Sequence, residues 1–418
     1  MGKYIIRGGN TLTGTVEVSG AKNAALPVLA AAVMTKGENT FEACPDISDV
    51  DNMISILRAL GCRVKREDCR LTVDASGISD CRIPDNLMKE MRSSVFLAGS
   101  LLARCGEAVI TNPGGCNIGK RPIDLHIKGL KALGAIIEQG DEKIIIRSGG
   151  LRGTHFKLDY PSVGATENLM LAAVAAKGTT VIENCAREPE IRALQDYVNQ
   201  CGGRISGAGS GTIAIEGGRR LSGCDYRMIP DRIEAGTYLL MCIGTGGDVC
   251  LKGADAEHIR PLLEILEAGG CRIDIGRNDL RVSAAGLKKI SCEIETAPYP
   301  GFPTDLQPQM TAFLTKNGEN CTVREKIFEN RLRYAKQLIK MGADIEISQK
   351  EVIIKSNNML YGCEVDAEDL RGGAALVIAG LMAEGETAVA NTKYIKRGYS
   401  RFRQKIIELG GEIREDGS

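Results

Sequence analysis

Two glycines, Gly114 and Gly115, precede Cys116, Asn117 follows it, and Lys120 and Arg121 stand close behind. Glycine permits positive φ and lets a backbone approach a ligand closely. Cations near a thiol lower its pKa from about 8.5, so a thiol in this setting can both donate a proton and add to carbon. The chain has 15 cysteines, and the ordinary reading of any one is a small buried thiol. Cys116 combines the two glycines with two nearby cations, Lys120 and Arg121. Asp305 stands in Tyr299-Pro300-Gly301-Phe302-Pro303-Thr304-Asp305, a Pro- and Gly-rich loop ahead of a helical run from Leu306. A carboxylate there can cap the helix, take a proton from a hydroxyl, or do both. Lys22 lies between apolar stretches, just before a helix that should be buried, and Pro122 holds Arg121 extended. Neither has the setting of an ordinary solvated charge. Ser162-Val163-Gly164 precedes a further helix, where backbone N–H groups either form a plain capping turn or meet an anion.

Composition narrows the chemistry. Lys+Arg and Asp+Glu number 53 each, so no global field draws nucleic acid or a membrane. An anionic ligand must then be held by locally gathered cations. Histidine occurs only at positions 126, 155 and 258, and no spacing suits zinc, so no metal and no cofactor is expected. The cysteines are scattered, odd in number and never in a CxxC pair, and no signal peptide precedes them. That pattern predicts reduced thiols in the cytoplasm. The apolar stretch from Ala24 to Met34 is too short to span a bilayer. A monomer or weak homo-oligomer is expected.

The elements that must position these residues repeat. Ile54 to Val64 reads ISILRALGCRV, Ile127 to Ile137 reads IKGLKALGAII, and related runs begin at Leu194, Leu262, Ala335 and Arg403. Each predicts an amphipathic helix of about three turns, closed by a glycine at C′ and followed by a strand. The closing glycines are Gly61, Gly134, Gly202, Gly269, Gly342 and Gly410. Between these runs lie Ala/Leu-rich segments such as MLAAVAAKGTTVIE and VIAGLMAEGETAVA. They predict a helix apolar nearly all round, a glycine turn and a short strand. The period of about 70 residues fits an α/β unit of two helices and several strands, too long for a common solenoid repeat. At 418 residues more than one domain is expected, and six units predict two lobes of three. The buried helices would share the centre of a lobe, with sheets outside.

The layout resembles the enolpyruvyl transferases, whose two lobes are inside-out α/β barrels. The segments that carry the likeness run in order along the chain. They are Gly20-Ala21-Lys22-Asn23-Ala24, Gly114-Gly115-Cys116 with Arg121-Pro122-Ile123-Asp124-Leu125-His126, Ser162-Val163-Gly164-Ala165-Thr166, and Pro303-Thr304-Asp305-Leu306-Gln307. Phe328-Glu329-Asn330-Arg331, Asp369-Leu370-Arg371 and Arg397-Gly398-Tyr399 follow. The cysteine loop and Lys22-Asn23 match the branch whose acceptor is UDP-N-acetylglucosamine rather than shikimate 3-phosphate.

The resemblance implies a C-terminal lobe of residues 1–21 plus 231–418 and an N-terminal lobe of residues 22–230. It implies transfer of the enolpyruvyl group of phosphoenolpyruvate to the 3′-hydroxyl of UDP-N-acetylglucosamine by addition and elimination, a step in peptidoglycan synthesis. Cys116 is then the general acid, able to form an adduct and open to fosfomycin. Asp305 is the candidate base ahead of Asp369, and Lys22 and Arg397 complete the catalytic set. Phosphoenolpyruvate falls to Lys22, Asn23, Arg121, Arg371 and Arg397. The nucleotide sugar falls to Asn23, Arg92, Arg121, Pro122, Ile123, Asp124, Leu125, Ser162, Val163, Gly164, Asp305 and Ile327. Tyr160 stands near where the family often carries a lysine. Two alternatives remain open: another acceptor, such as shikimate 3-phosphate, or a paralogue that senses the UDP-sugar without turnover.

Overall fold

A computed structural model describes residues 2–78, 80–90, 95–111, 123–356 and 359–417. They fall into two compact units. One holds the described residues up to Ser19 and from Pro230 onward; the other holds those from Gly20 to Ile229.

The Ala/Leu-rich segments form the innermost helices. In the first unit these are Arg232–Gly244, Gln307–Asn317 and Leu370–Met382, and all three pack on one another. Every residue of Arg232–Gly244 is buried. In the second unit, Leu97–Cys105 packs on both Lys22–Ala32 and Val163–Val174. Small side chains let such helices approach closely, and each fully buried Leu or Ile adds about 1.5–3 kcal/mol. The amphipathic runs form the outer helices, among them Ser48–Ala59, Pro189–Gln200 and Arg260–Ala268.

Five of the six predicted closing glycines adopt the left-handed conformation expected of them: Gly61, Gly134, Gly202, Gly342 and Gly410. Gly269 does not. Its φ is −73°, right-handed at the C-cap of Arg260–Ala268, and the adjacent Gly270 takes the left-handed place at +92°.

Six sheets share one strand order. In the sheet 225–227, 38–42, 70–74, 63–67 the first pair is parallel and the others antiparallel. The same order serves 155–157, 179–183, 212–216, 205–206, and also 14–17, 248–252, 279–283, 272–275. It recurs in 293–295, 321–324, 351–354, 345–347. In 107–111, 143–147, 136–139 the parallel edge is reduced to the bridge Arg82–Val109. The last sheet borrows a strand: Lys3–Arg7 lies between Glu386–Ala390 and Glu412–Asp416, antiparallel to both. Among the described residues these sheets stay separate, and none closes on itself.

Candidate active site

Three aspartates stand at matching places ahead of the buried helices of the first unit: Asp231, Asp305 and Asp369. Two of them do what helix starts require. Asp231 accepts from the N–H groups of Ile233 and Glu234 at 2.8 and 3.0 Å, and Asp369 from those of Arg371 and Gly372 at 3.0 Å each. Asp305 departs from the pattern. It sits inside a 3₁₀ turn, Thr304–Leu306, and the N-cap places fall on Pro303 and Leu306 instead. The capping half of its sequence reading is therefore corrected.

Its carboxylate goes instead to two buried guanidiniums. Arg331 Nη2 lies 2.8 Å from Oδ1; Arg371 Nη2 and Nε lie 3.0 and 3.2 Å from Oδ2. The arginine side chains are 3% and 2% exposed, while Asp305 keeps 27%, so the carboxylate is the part of the cluster that solvent reaches. Arg371 also lies over the Tyr399 ring, 5.3 Å from its centroid. Burial is the largest single influence and opposes the charge on Arg371, but Asp305, Tyr399 and Asp231 together outweigh it and hold the guanidinium above its ordinary pKa. The main chain is fixed as well: Gln309 Nε2 donates to the Asp305 carbonyl at 2.9 Å and to the Tyr399 hydroxyl at 3.0 Å.

Arg397 ends the 3₁₀ turn Ile395–Arg397 and is partly buried. The turn sits close to the start of the Leu370–Met382 helix because glycine allows it. A Cβ on Gly398 would lie 2.7 Å from Leu370 Cδ2, and one on Gly373 would lie 2.7 Å from Ile395 Cγ1. Ile327 is half-buried in the same unit, its N–H donating to Glu325 Oε1 at 2.8 Å.

In the second unit Lys22 opens the helix Lys22–Ala32, with Asn23 half-buried beside it. Lys22 Nζ pairs with Asp49 Oδ2 at 2.7 Å, and the side chains are only 11% and 2% exposed. Asp49 sits in the first turn of Ser48–Ala59, where the helix dipole also favours its charge. Ser162 caps Val163–Val174, accepting from Ala165 N–H at 3.4 Å. Gly164 runs against the Phe96 ring and His126, and a Cβ there would come within 3.1 Å of the ring. His126 Nδ1 meets Asn168 Nδ2 at 3.0 Å. Asp124 is exposed in the first turn of Asp124–Ala132, while Ile123 and Leu125 rest on the core. Tyr160 is exposed, with its carbonyl taking the Ser162 N–H at 2.7 Å.

Arg92, Cys116, Arg121 and Pro122 lie outside the described residues. Three residues in these clusters had no role in the sequence reading: Asp49, Arg331 and Glu325. An acid in the first turn of a helix flags Asp49 only as dipole-favoured, and Arg331 lay unassigned in a matching segment. Among the described residues no group of three or more His, Cys, Asp or Glu side chains could hold a metal, and no helix is long and apolar enough to cross a membrane.

The sequence pattern of the family described as EPSP synthase (3-phosphoshikimate 1-carboxyvinyltransferase) matches residues 6–406. The chain is 48% identical over 413 residues to UDP-N-acetylglucosamine 1-carboxyvinyltransferase 2 of Caldanaerobacter subterraneus subsp. tengcongensis, covering 99% of each. It is 44% identical over 415 residues to UDP-N-acetylglucosamine 1-carboxyvinyltransferase of Halothermothrix orenii, covering 99% of this chain and 100% of that one. Among solved structures, the enolpyruvyl transferase NikO from Streptomyces tendae superposes with a TM-score of 0.89 at 24% identity, covering 100% of this chain and 99% of that one. An EPSP synthase from Acinetobacter baumannii follows at 0.78 and 18%, covering all of both chains. At those identities the structures speak for the fold alone.

Proposed function

This chain belongs to the EPSP synthase family of carboxyvinyltransferases, and from that premise we propose that it moves the enolpyruvyl group of phosphoenolpyruvate to the 3′-hydroxyl of UDP-N-acetylglucosamine. The observation that carries the choice of acceptor is identity of 44–48% over essentially the whole chain with proteins named for that reaction. The product is a precursor of peptidoglycan, and the reaction belongs to the cytoplasm.

The chemistry follows from what each group can do. The Cys116 thiol gives its proton to the methylene carbon of phosphoenolpyruvate, which leaves carbon 2 electron-poor. The sugar hydroxyl attacks carbon 2 while Asp305 takes the hydroxyl proton, giving a tetrahedral phosphate adduct. Loss of phosphate and of a methyl proton then restores the double bond in the enol ether product. Phosphate and carboxylate need several cations, and Lys22, Arg121, Arg371 and Arg397 supply them, with arginine able to bind either group through two parallel hydrogen bonds. Asp305 fits the role of base because, among the described residues, its carboxylate meets guanidiniums, whereas Asp231 and Asp369 accept from backbone N–H groups. Asp369 is committed to its cap.

Asn23, Arg92, Arg121 to Leu125, Ser162 to Gly164 and Ile327 form the remaining contacts to the nucleotide sugar in this reading. Arg121 serves both substrates, and the capped start of Val163–Val174 offers backbone N–H groups to the diphosphate. The shared strand order of the sheets supports six α/β units, three to a lobe.

Phosphate release from phosphoenolpyruvate is the test, run with UDP-N-acetylglucosamine, with shikimate 3-phosphate and with neither. Release only with the UDP-sugar, abolished in Cys116→Ala, is the expected result. Release with shikimate 3-phosphate instead would overturn the acceptor, and no release in any arm would favour a sensor.

A further inference from the structure

The strand Cys321–Arg324 ends at Glu325, beside the end of its parallel neighbour Glu293–Glu295. Glu325 is 2% exposed, yet its carboxylate accepts four hydrogen bonds. Oε1 takes the Thr296 hydroxyl at 2.9 Å and the N–H groups of Ile327 and Phe328 at 2.8 and 3.1 Å. Oε2 takes the Thr304 hydroxyl at 2.9 Å. Thr296 Oγ1 in turn receives the Lys326 N–H at 2.8 Å. One buried carboxylate thus ties together the 326–328 turn, the strand end at Thr296 and the turn that carries Asp305.

All four donors are neutral. Burying a charge without a countercharge is unfavourable by several kcal/mol, and four converging hydrogen bonds are what make it tolerable. Neutral glutamine would avoid the charge, but its Nε2 would have to donate where Oε2 now accepts. The arrangement is therefore better explained by the geometry it enforces than by stability.

We propose that Glu325 is a positioning residue that couples acceptor binding to the base, fixing the Ile327 turn and the Asp305 turn through opposite oxygens of one carboxylate. This rests on the assignment of Ile327 to the nucleotide sugar and of Asp305 to proton removal. Glu325 touches neither substrate; it acts through Ile327 N–H and Thr304. An acceptor that settles against the 326–328 turn meets a base turn held in register with it, and loosening either side degrades both.

The test uses the full chain with Glu325→Ala, Glu325→Gln, Thr304→Val and, as a control, Asp305→Ala, measuring kcat and both KM values together with thermal unfolding. Misplacement of reacting groups by an ångström or less lowers kcat by roughly 10- to 100-fold. Glu325→Ala is expected to show such a loss, with a similar rise in KM for UDP-N-acetylglucosamine and with KM for phosphoenolpyruvate within about 2-fold. Glu325→Gln should recover part of both, because its Oε1 still takes the three donors on that side. Thr304→Val removes only the Oε2 bond and should lower kcat while leaving the UDP-sugar KM nearly unchanged. If Glu325→Ala does not fold, the Thr304→Val split decides alone. Wild-type kcat in Thr304→Val, or an equal rise in both KM values in Glu325→Ala, overturns the coupling. Full turnover in Asp305→Ala would instead overturn the base assignment itself.

Discussion

Arg371 and Asp305, 66 residues apart in sequence, meet with two guanidinium nitrogens on a single carboxylate oxygen, Nε at 3.2 Å and Nη2 at 3.0 Å. Arg331 holds the other oxygen, so the two guanidiniums together orient the carboxylate plane as well as neutralising it. An ammonium in place of Arg371 would keep the charge and lose the fork.

Arg371→Lys should therefore lower kcat by roughly 10-fold or more while the protein stays folded, since a point charge cannot fix the carboxylate plane. Steady-state phosphate release beside thermal unfolding checks this. A kcat within 2-fold of wild type, at about the precision of such assays, would show that charge alone suffices.

The Lys22–Asp49 pair is nearly buried, so removing one partner takes a close opposite charge from the other. Asp49→Asn should destabilise the fold by about 3 kcal/mol and raise KM for phosphoenolpyruvate, because the ammonium loses the contact that aims it. Urea unfolding and substrate titration measure the two effects. An unshifted urea midpoint would mean that the ammonium finds water instead.

Glu167, in the helix Val163–Val174, is fully buried, and neither of its carboxyl oxygens has a hydrogen-bond partner among the described residues. Burial first, then the charges of Glu190 and Glu188, push its pKa well above the ordinary 4.5. A carboxyl whose pKa rises on folding holds its proton more tightly in the native state. Its contribution is complete below the unfolded value and is lost as pH rises through the folded one. Glu167→Gln should match wild type near pH 4.5 and become the more stable protein as pH climbs. Melting temperatures across that range test it; a gap that does not widen with pH counts against a protonated native Glu167.

Fosfomycin, an epoxide, should open on the Cys116 thiol to give one adduct, absent from Cys116→Ala. Burial pushes Cys44, Cys62, Cys185 and Cys242 up to about 12, so these thiols stay protonated and inert near neutral pH. Peptide mass mapping after exposure reads the outcome directly, and an adduct at another cysteine without one at Cys116 would sink the assignment.

Local pattern carried much of the fold. Helix type followed from apolar spacing, and five helix ends followed from the glycines that take the left-handed place. Where two glycines adjoin, at Gly269 and Gly270, either could end the helix, and packing chose the second. The site was legible as a list of residues, not as a set of contacts. Asp305 reads as a cap because its neighbours in sequence are a helix start. Only tertiary structure brings Arg331 and Arg371 to it, and no periodicity encodes a pairing across 66 residues. Glu325 was invisible for a related reason: a glutamate after a strand is ordinarily a surface residue, and its burial depends on Thr296 and Thr304 arriving from elsewhere.

The strand Lys3–Arg7 has a consequence for biosynthesis. It is made well before its partners, Glu386–Ala390 and Glu412–Asp416, which are translated hundreds of residues later. During that interval it has hydrogen-bonding edges and apolar residues such as Ile6 with no native partner, while the residues from Gly20 to Ile229 can already collapse. The unit that holds Asp305 is therefore the late one on the ribosome, and Lys3–Arg7 must wait unpaired until it is made.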